Sequence, residues 1–203
     1  IAAGIAEGLA YAASMGIAHR DIKPANIQLA TDGAIKILDF GLARPQGSSA
    51  LTAPLVAHGT PAFIAPEQAR GDEKLTPKVD VYALGAIIFR CGTGRNLFQG
   101  EDAGAVLARH MRETAPTLAS LAQDVPDGLS ELVALALAKD ADQRPDAATM
   151  VMRLREIQAR IPRGPANARA DVSRRRPSSH VARGTETNGA PQVSRRHRVY
   201  LVV

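Results

Sequence analysis

His19-Arg20-Asp21-Ile22-Lys23-Pro24-Ala25-Asn26, followed thirteen residues after Asn26 by Asp39-Phe40-Gly41, constrains the fold more than any other stretch of this chain. It gathers an acceptor carboxylate, a lysine, an amide and a second carboxylate into one short segment. For these groups to act together, the chain between Asn26 and Asp39 must double back. The residues in the gap supply the means. Ile27-Gln28-Leu29 and Ile35-Lys36-Ile37 flank Thr31-Asp32-Gly33, the pattern of a small hairpin whose strand ends lie side by side. Upstream, Ile1, Ile5 and Leu9 recur at helical spacing, and Gly16 stands where a left-handed helix cap belongs. A helix from residue 1 to about residue 15 is therefore expected to deliver the chain into the loop.

The first run resembles the catalytic loop of protein kinases. Asp39-Phe40-Gly41 resembles their metal-binding triplet, and Ala65-Pro66-Glu67 the close of their activation segment. Phosphoryl transfer asks for positioning and charge neutralisation more than covalent work, which is why metal ligands, one cation and one orienting group suffice. The resemblance implies that Asp21 accepts or orients the proton of a substrate hydroxyl, that Asn26 and Asp39 hold Mg2+, and that Lys23 reaches the transferred phosphate of ATP. It places Thr60 at the substrate-facing end, in contact with Asp21 and Lys23, and makes His19, Arg20, Phe40 and Gly41 supports of the loop. Lys23, two residues after Asp21, and Gly59-Thr60-Pro61 are similar to the serine/threonine branch, and the stretch from Gly59 to Gln68 to its bacterial members. Arg20 is implied to pair with a phosphorylated residue of the activation segment, for which Ser48, Ser49 and Thr52 are the candidates. The implied fold is mainly α (α+β), the helical C-terminal lobe of the kinase-like fold with short β-hairpins, over residues 1–161. Gln28 departs from the pattern. The family has an apolar residue there, beneath adenine, and a polar floor either hydrogen-bonds the base or a water, or weakens nucleotide binding by leaving its amide half-satisfied.

Farther along, Val79 to Phe89 is apolar nearly all round, as expected of a helix buried in the middle of a domain. Asp80 within it needs partners. The resemblance implies that it bonds the catalytic-loop backbone near the His-Arg pair, the alternative being an exposed cap at the helix start. Glu67 and Arg144 match two positions that form a buried ion pair beneath the activation segment. Leu132, Leu135, Leu154, Ile157 and Ile161 read as core positions of further helices, and Cys91, the single cysteine, as core packing with no internal disulfide. No glycine-rich loop or Val-Ala-Ile-Lys-like strand precedes the catalytic loop, and the chain opens in mid-helix. The resemblance therefore implies a missing N-terminal, nucleotide-covering lobe as a partner, without which this fragment is expected to be inactive. The competing reading is a non-catalytic kinase-like lobe serving as a binding or allosteric module. The intact set Asp21, Lys23, Asn26 and Asp39 favours catalysis, while Gln28 and the absent lobe favour the alternative.

Composition breaks near Pro162. Residues 162–203 hold nine arginines against Asp171 and Glu186, net +7, which leaves 16 basic and 18 acidic side chains, net −2, for the body. The basic character belongs to the tail, and the body offers no face for specific nucleic acid. Rich in Pro, Gly, Ser and Arg with few apolar residues, residues 162–198 read as a disordered basic linker without interleaved aromatics for base stacking. Residues 199–203, Val-Tyr-Leu-Val-Val after Arg195-Arg196-His197-Arg198, look like the start of a membrane helix on its cytoplasmic side, or a frayed tail, since five apolar residues cannot span. On that reading the kinase lobe is cytoplasmic, tethered to the plasma membrane, with the arginines against an anionic membrane surface. His58, His110, His180 and His197 have no metal-ligand spacing among themselves.

Overall fold

The computed structural model describes residues 1–40 and 61–162. Gly41, Ser48, Ser49, Thr52 and Thr60, with the basic tail and the terminal apolar run, lie outside the described residues. Among the described residues, six α-helices, three short 3-10 turns and one two-stranded sheet follow one another in chain order: α1 (Ala2–Ser14), β1 (Ile27–Leu29), β2 (Ile35–Ile37), α2 (Pro66–Arg70), α3 (Lys78–Thr93), α4 (Ala103–Arg112), α5 (Leu129–Ala136) and α6 (Ala147–Arg160). This is a helical lobe with one small antiparallel sheet.

Helix α3 is the centre. Every residue from Val79 to Phe89 is buried, because α1, α5 and α6 all pack on it and leave it no solvent face. α1 buries Ile5, Leu9 and three alanines against α3 and α6. It ends where Gly16, at φ +72°, turns left-handed and Ile17 N–H donates back to Ala12 O at 3.0 Å. Helices α4 and α6 are each started by an aspartate. Asp102 accepts from Ala105 N at the head of α4, and Asp146 from Thr149 N at the head of α6, both at 2.7 Å. Those bonds from Thr149 hold the Asp146 carboxyl below its ordinary pKa.

Two core assignments from the sequence need correction. Leu132, Leu154 and Ile157 are buried, but Leu135 is 52% exposed. The buried stripe of this region runs through Leu129, Leu132, Val133, Ala136 and Leu137, and at 100° per residue Leu135 falls on the opposite side. Leu29, at the end of the three-residue strand β1, is also exposed. Cys91 is exposed too. The burial of α3 stops at Phe89, and in its last turn it is Gly92 that faces the Leu118 side chain.

A buried polar cluster ties α4 to the core. His110, with no exposed surface, shares a hydrogen bond of 2.9 Å between its Nδ1 and Tyr82 Oη, and its ring meets Phe98 edge-on with centroids 5.0 Å apart. Lys139 Nζ donates to the His110 carbonyl at 2.8 Å and lies 4.7 Å from the centre of the Phe98 ring. Burial first, and the Lys139 charge second, push the His110 pKa down to about 3 from 6.5. The unfolded chain takes up this proton near the ordinary value and the folded chain does not, so between those limits the unfolded state binds more protons and stability falls as pH falls. Between pH 7 and pH 5 the wild type is expected to lose about 2 kcal/mol more than His110→Gln in urea unfolding. Parallel losses in the two proteins would show that His110 is not the group responsible.

Candidate active site

The site is built where α1 hands the chain to the hairpin. Gly4 and Gly8 face β2 so closely that a Cβ on either would stand 2.8 Å from Ile35 Cγ1 or Ile37 Cδ1. A side chain at either position would make the Ile35 or Ile37 side chain shift, so glycine suits the close seating of the hairpin on the helix. In the sheet Ile27 pairs with Ile37, Gln28 with Lys36 and Leu29 with Ile35. Leu38 N–H then donates to Asn26 O at 2.8 Å, which brings the residue before Asp39 against the end of the catalytic loop.

His19 locks that junction. It is fully buried, and its Nε2 meets Leu38 O at 2.7 Å while its Nδ1 accepts from Asp21 N–H at 3.2 Å. The two contacts are consistent with a single tautomer, Nε2–H donating and Nδ1 accepting. Its ring also stands edge-on to Phe40, centroids 4.8 Å apart. One imidazole thus joins the loop bearing Asp21 to the segment bearing Asp39. Behind it Asp80, 3% exposed, accepts from the backbone N–H of His19 at 2.7 Å and of Arg20 at 2.8 Å. Burial raises the Asp80 pKa, and the two backbone donors oppose the rise. These bonds hold Arg20 at φ +69°, a left-handed conformation that costs a non-glycine residue roughly 1–2 kcal/mol. The Arg20 Nε is buried with no partner among the described residues.

In front, Asp21 is exposed. Its Oδ2 accepts from Lys23 Nζ at 2.8 Å and from Asn26 Nδ2 at 3.2 Å, and the same amide nitrogen holds Asp21 O at 2.8 Å. Oδ1 is left without a donor among the described residues. The Lys23–Asp21 pair is more than a third exposed on both sides, so solvent screens it and it binds weakly. Asn26 spends only its nitrogen, so its Oδ1 is open, and Asp39, exposed and at φ +58°, has no hydrogen bond to a described residue. Side-chain oxygens of these two kinds are the donors that a hard divalent cation such as Mg2+ takes. Gln28 is exposed opposite Lys36, with no hydrogen bond to a described residue.

Glu67 and Arg144 meet beneath this site. Arg144 Nη1 and Nη2 donate to the two Glu67 oxygens at 2.6 and 2.8 Å, Nε to Ala138 O, and the remaining two N–H groups to Lys78 O and Lys139 O. All five guanidinium donors are used. Beside Glu67 sits a residue to which the sequence assigned no role: Gln68, 5% exposed, whose amide nitrogen donates to Arg20 O at 2.8 Å. Nothing in local pattern marks a contact across 48 positions.

The family model described as protein kinase domain matches residues 1–154, three quarters of the chain. The chain belongs to the protein kinase family. Curated bacterial proteins resemble it over the same region. The probable serine/threonine-protein kinase PknB of Lactococcus lactis is 37% identical over 140 residues, 69% of this chain and 22% of the relative. The probable serine/threonine-protein kinase PkwA of Thermomonospora curvata is 40% identical over 154 residues, 76% of this chain and 20% of the relative. The DNA damage-responsive serine/threonine-protein kinase RqkA of Deinococcus radiodurans is 38% identical over 154 residues, 75% and 23%. This protein kinase chain thus spans between a fifth and a quarter of the length of these relatives.

Proposed function

We propose that this chain is the catalytic lobe of a protein serine/threonine kinase that uses ATP and Mg2+ to phosphorylate hydroxyls of protein substrates, and that it works together with a nucleotide-covering lobe. One observation carries the reading: Asp21 turns a donor-free Oδ1 outward while Lys23 and Asn26 hold its other oxygen, with Asp39 set beside Asn26 through the Leu38–Asn26 bond. In this arrangement Asp21 orients the hydroxyl and takes its proton, and Lys23 moves from the carboxylate to the phosphate being transferred. Mg2+ held by Asn26 and Asp39 supplies neutralisation of phosphate charge. Gln28, exposed on the hairpin, offers its amide to the base. Arg20, with its buried Nε lacking a described partner, receives the phosphate of a modified Ser48, Ser49 or Thr52, adding a charge of about −1.5 to −2 beside the catalytic loop.

Two linked measurements test this. Purified full-length protein is expected to transfer phosphate from Mg-ATP to serine or threonine of a protein acceptor, and phosphopeptide mapping of the active enzyme to find phosphate between residues 46 and 60. Absence of transfer would leave the non-catalytic module as the better reading. Transfer with that segment unmodified would remove the switch while keeping the catalysis.

A further inference from the structure

Gln68 is spent on two bonds of opposite kind. Its Oε1 accepts from Ala65 N–H at 3.3 Å, the reach-back that caps the first turn of α2, and its Nε2 donates to Arg20 O at 2.8 Å. The Arg20 carbonyl belongs to the peptide plane that leads into Asp21. The other edge of that plane, Asp21 N–H, is held by His19 Nδ1 at 3.2 Å. Asp80 takes up the N–H groups of Arg20 and His19, one and two planes further back. Gln68 is therefore the contact from α2 that fixes the rotation of the plane carrying the catalytic aspartate, at a residue already in a strained conformation. Its neighbour Glu67 is clamped by Arg144, which keeps the donor from drifting.

We infer that Gln68 is a positioning residue for Asp21, coupling the end of the activation segment to the catalytic loop; the inference rests on the kinase reading above. Loss of the Nε2–Arg20 O bond lets the peptide plane turn and carries the Asp21 carboxylate off the substrate hydroxyl. Nucleotide binding depends on other residues, so the effect falls on turnover.

The test uses the full-length enzyme. Wild-type transfer that Asp21→Asn abolishes secures the kinase reading first. Gln68→Glu then keeps the size of the side chain and the acceptor for Ala65 while removing the donor, and Gln68→Met removes both. With rates normalised to folded protein, both variants are expected to lose roughly tenfold in kcat, the size of one lost hydrogen bond, with KM for ATP within about twofold of wild type. A kcat retained in Gln68→Glu would overturn the positioning role, as would a loss confined to KM. If the wild type shows no transfer, the kinase reading fails and this role with it.

Discussion

Arg144→Lys and Glu67→Gln are each expected to lower the melting temperature by about 10 °C. The guanidinium side chain has no exposed surface, Glu67 is close to fully enclosed, and the pair is bidentate at 2.6 and 2.8 Å. Lysine keeps the charge but brings three donors on one atom, so it cannot serve two glutamate oxygens and the carbonyls of Ala138, Lys78 and Lys139 from one plane. It also gives up the flat face that Arg144 lays 5.0 Å from the centre of the Tyr82 ring. Breaking one partner of a buried pair strands the other, which costs about 3–5 kcal/mol, and a domain of this size shifts by roughly 2–4 °C per kcal/mol. Replacing both partners by apolar residues, as in Glu67→Leu with Arg144→Met, should recover much of the loss, because no charge is then left uncompensated. Differential scanning calorimetry of the single and double variants checks this. Single variants that melt within 2 °C of the wild type would show the pair to be structurally minor.

The local part of the site was legible because its chemistry is local. Asp21, Lys23 and Asn26 fall within one loop, and the hairpin that turns Asp39 back toward Asn26 is announced by two short apolar runs around Thr31-Asp32-Gly33. Long-range partners are another matter. Glu67 and Arg144 stand 77 positions apart and His19 and Asp80 61, and only the resemblance to a family put their names side by side. Gln68 escaped altogether, since a glutamine after Ala65-Pro66-Glu67 reads as helix filler until the fold brings Arg20 O within reach. Leu135 and Cys91 lie outside the core for a geometric reason: Leu135 stands off the angle of the buried stripe, and the central helix leaves the core before it reaches Cys91. His110 was readable in part, because it continues the inward face of Val106 and Leu107 on α4, but its neutral, enclosed state depends on Tyr82, Phe98 and Lys139, which only packing assembles. Nothing in the apolar patterning separates Gly4 and Gly8 from ordinary helix positions, yet the approach of β2 to α1 leaves no room for a side chain there.

Asp21→Asn and Asp39→Ala are expected to produce the largest effects on function. Asparagine preserves the shape of Asp21 and can still meet Lys23, but it cannot take a proton from a hydroxyl, and positioned proton transfer is worth about 10²–10⁴ in rate. Alanine at position 39 removes the carboxylate proposed to hold the phosphate-bound cation, and its charge with it. Neither residue contributes to the buried core, both being exposed, so each variant should melt close to the wild type. The decisive measurement is the initial rate of phosphate transfer from Mg-ATP to a serine-containing acceptor by the full-length wild type and by these two variants, with melting curves recorded on the same preparations. Transfer by the wild type that drops about a thousandfold or more in both variants at unchanged stability is the predicted result; equal rates in all three would contradict a phosphoryl-transfer site at Asp21, Asn26 and Asp39.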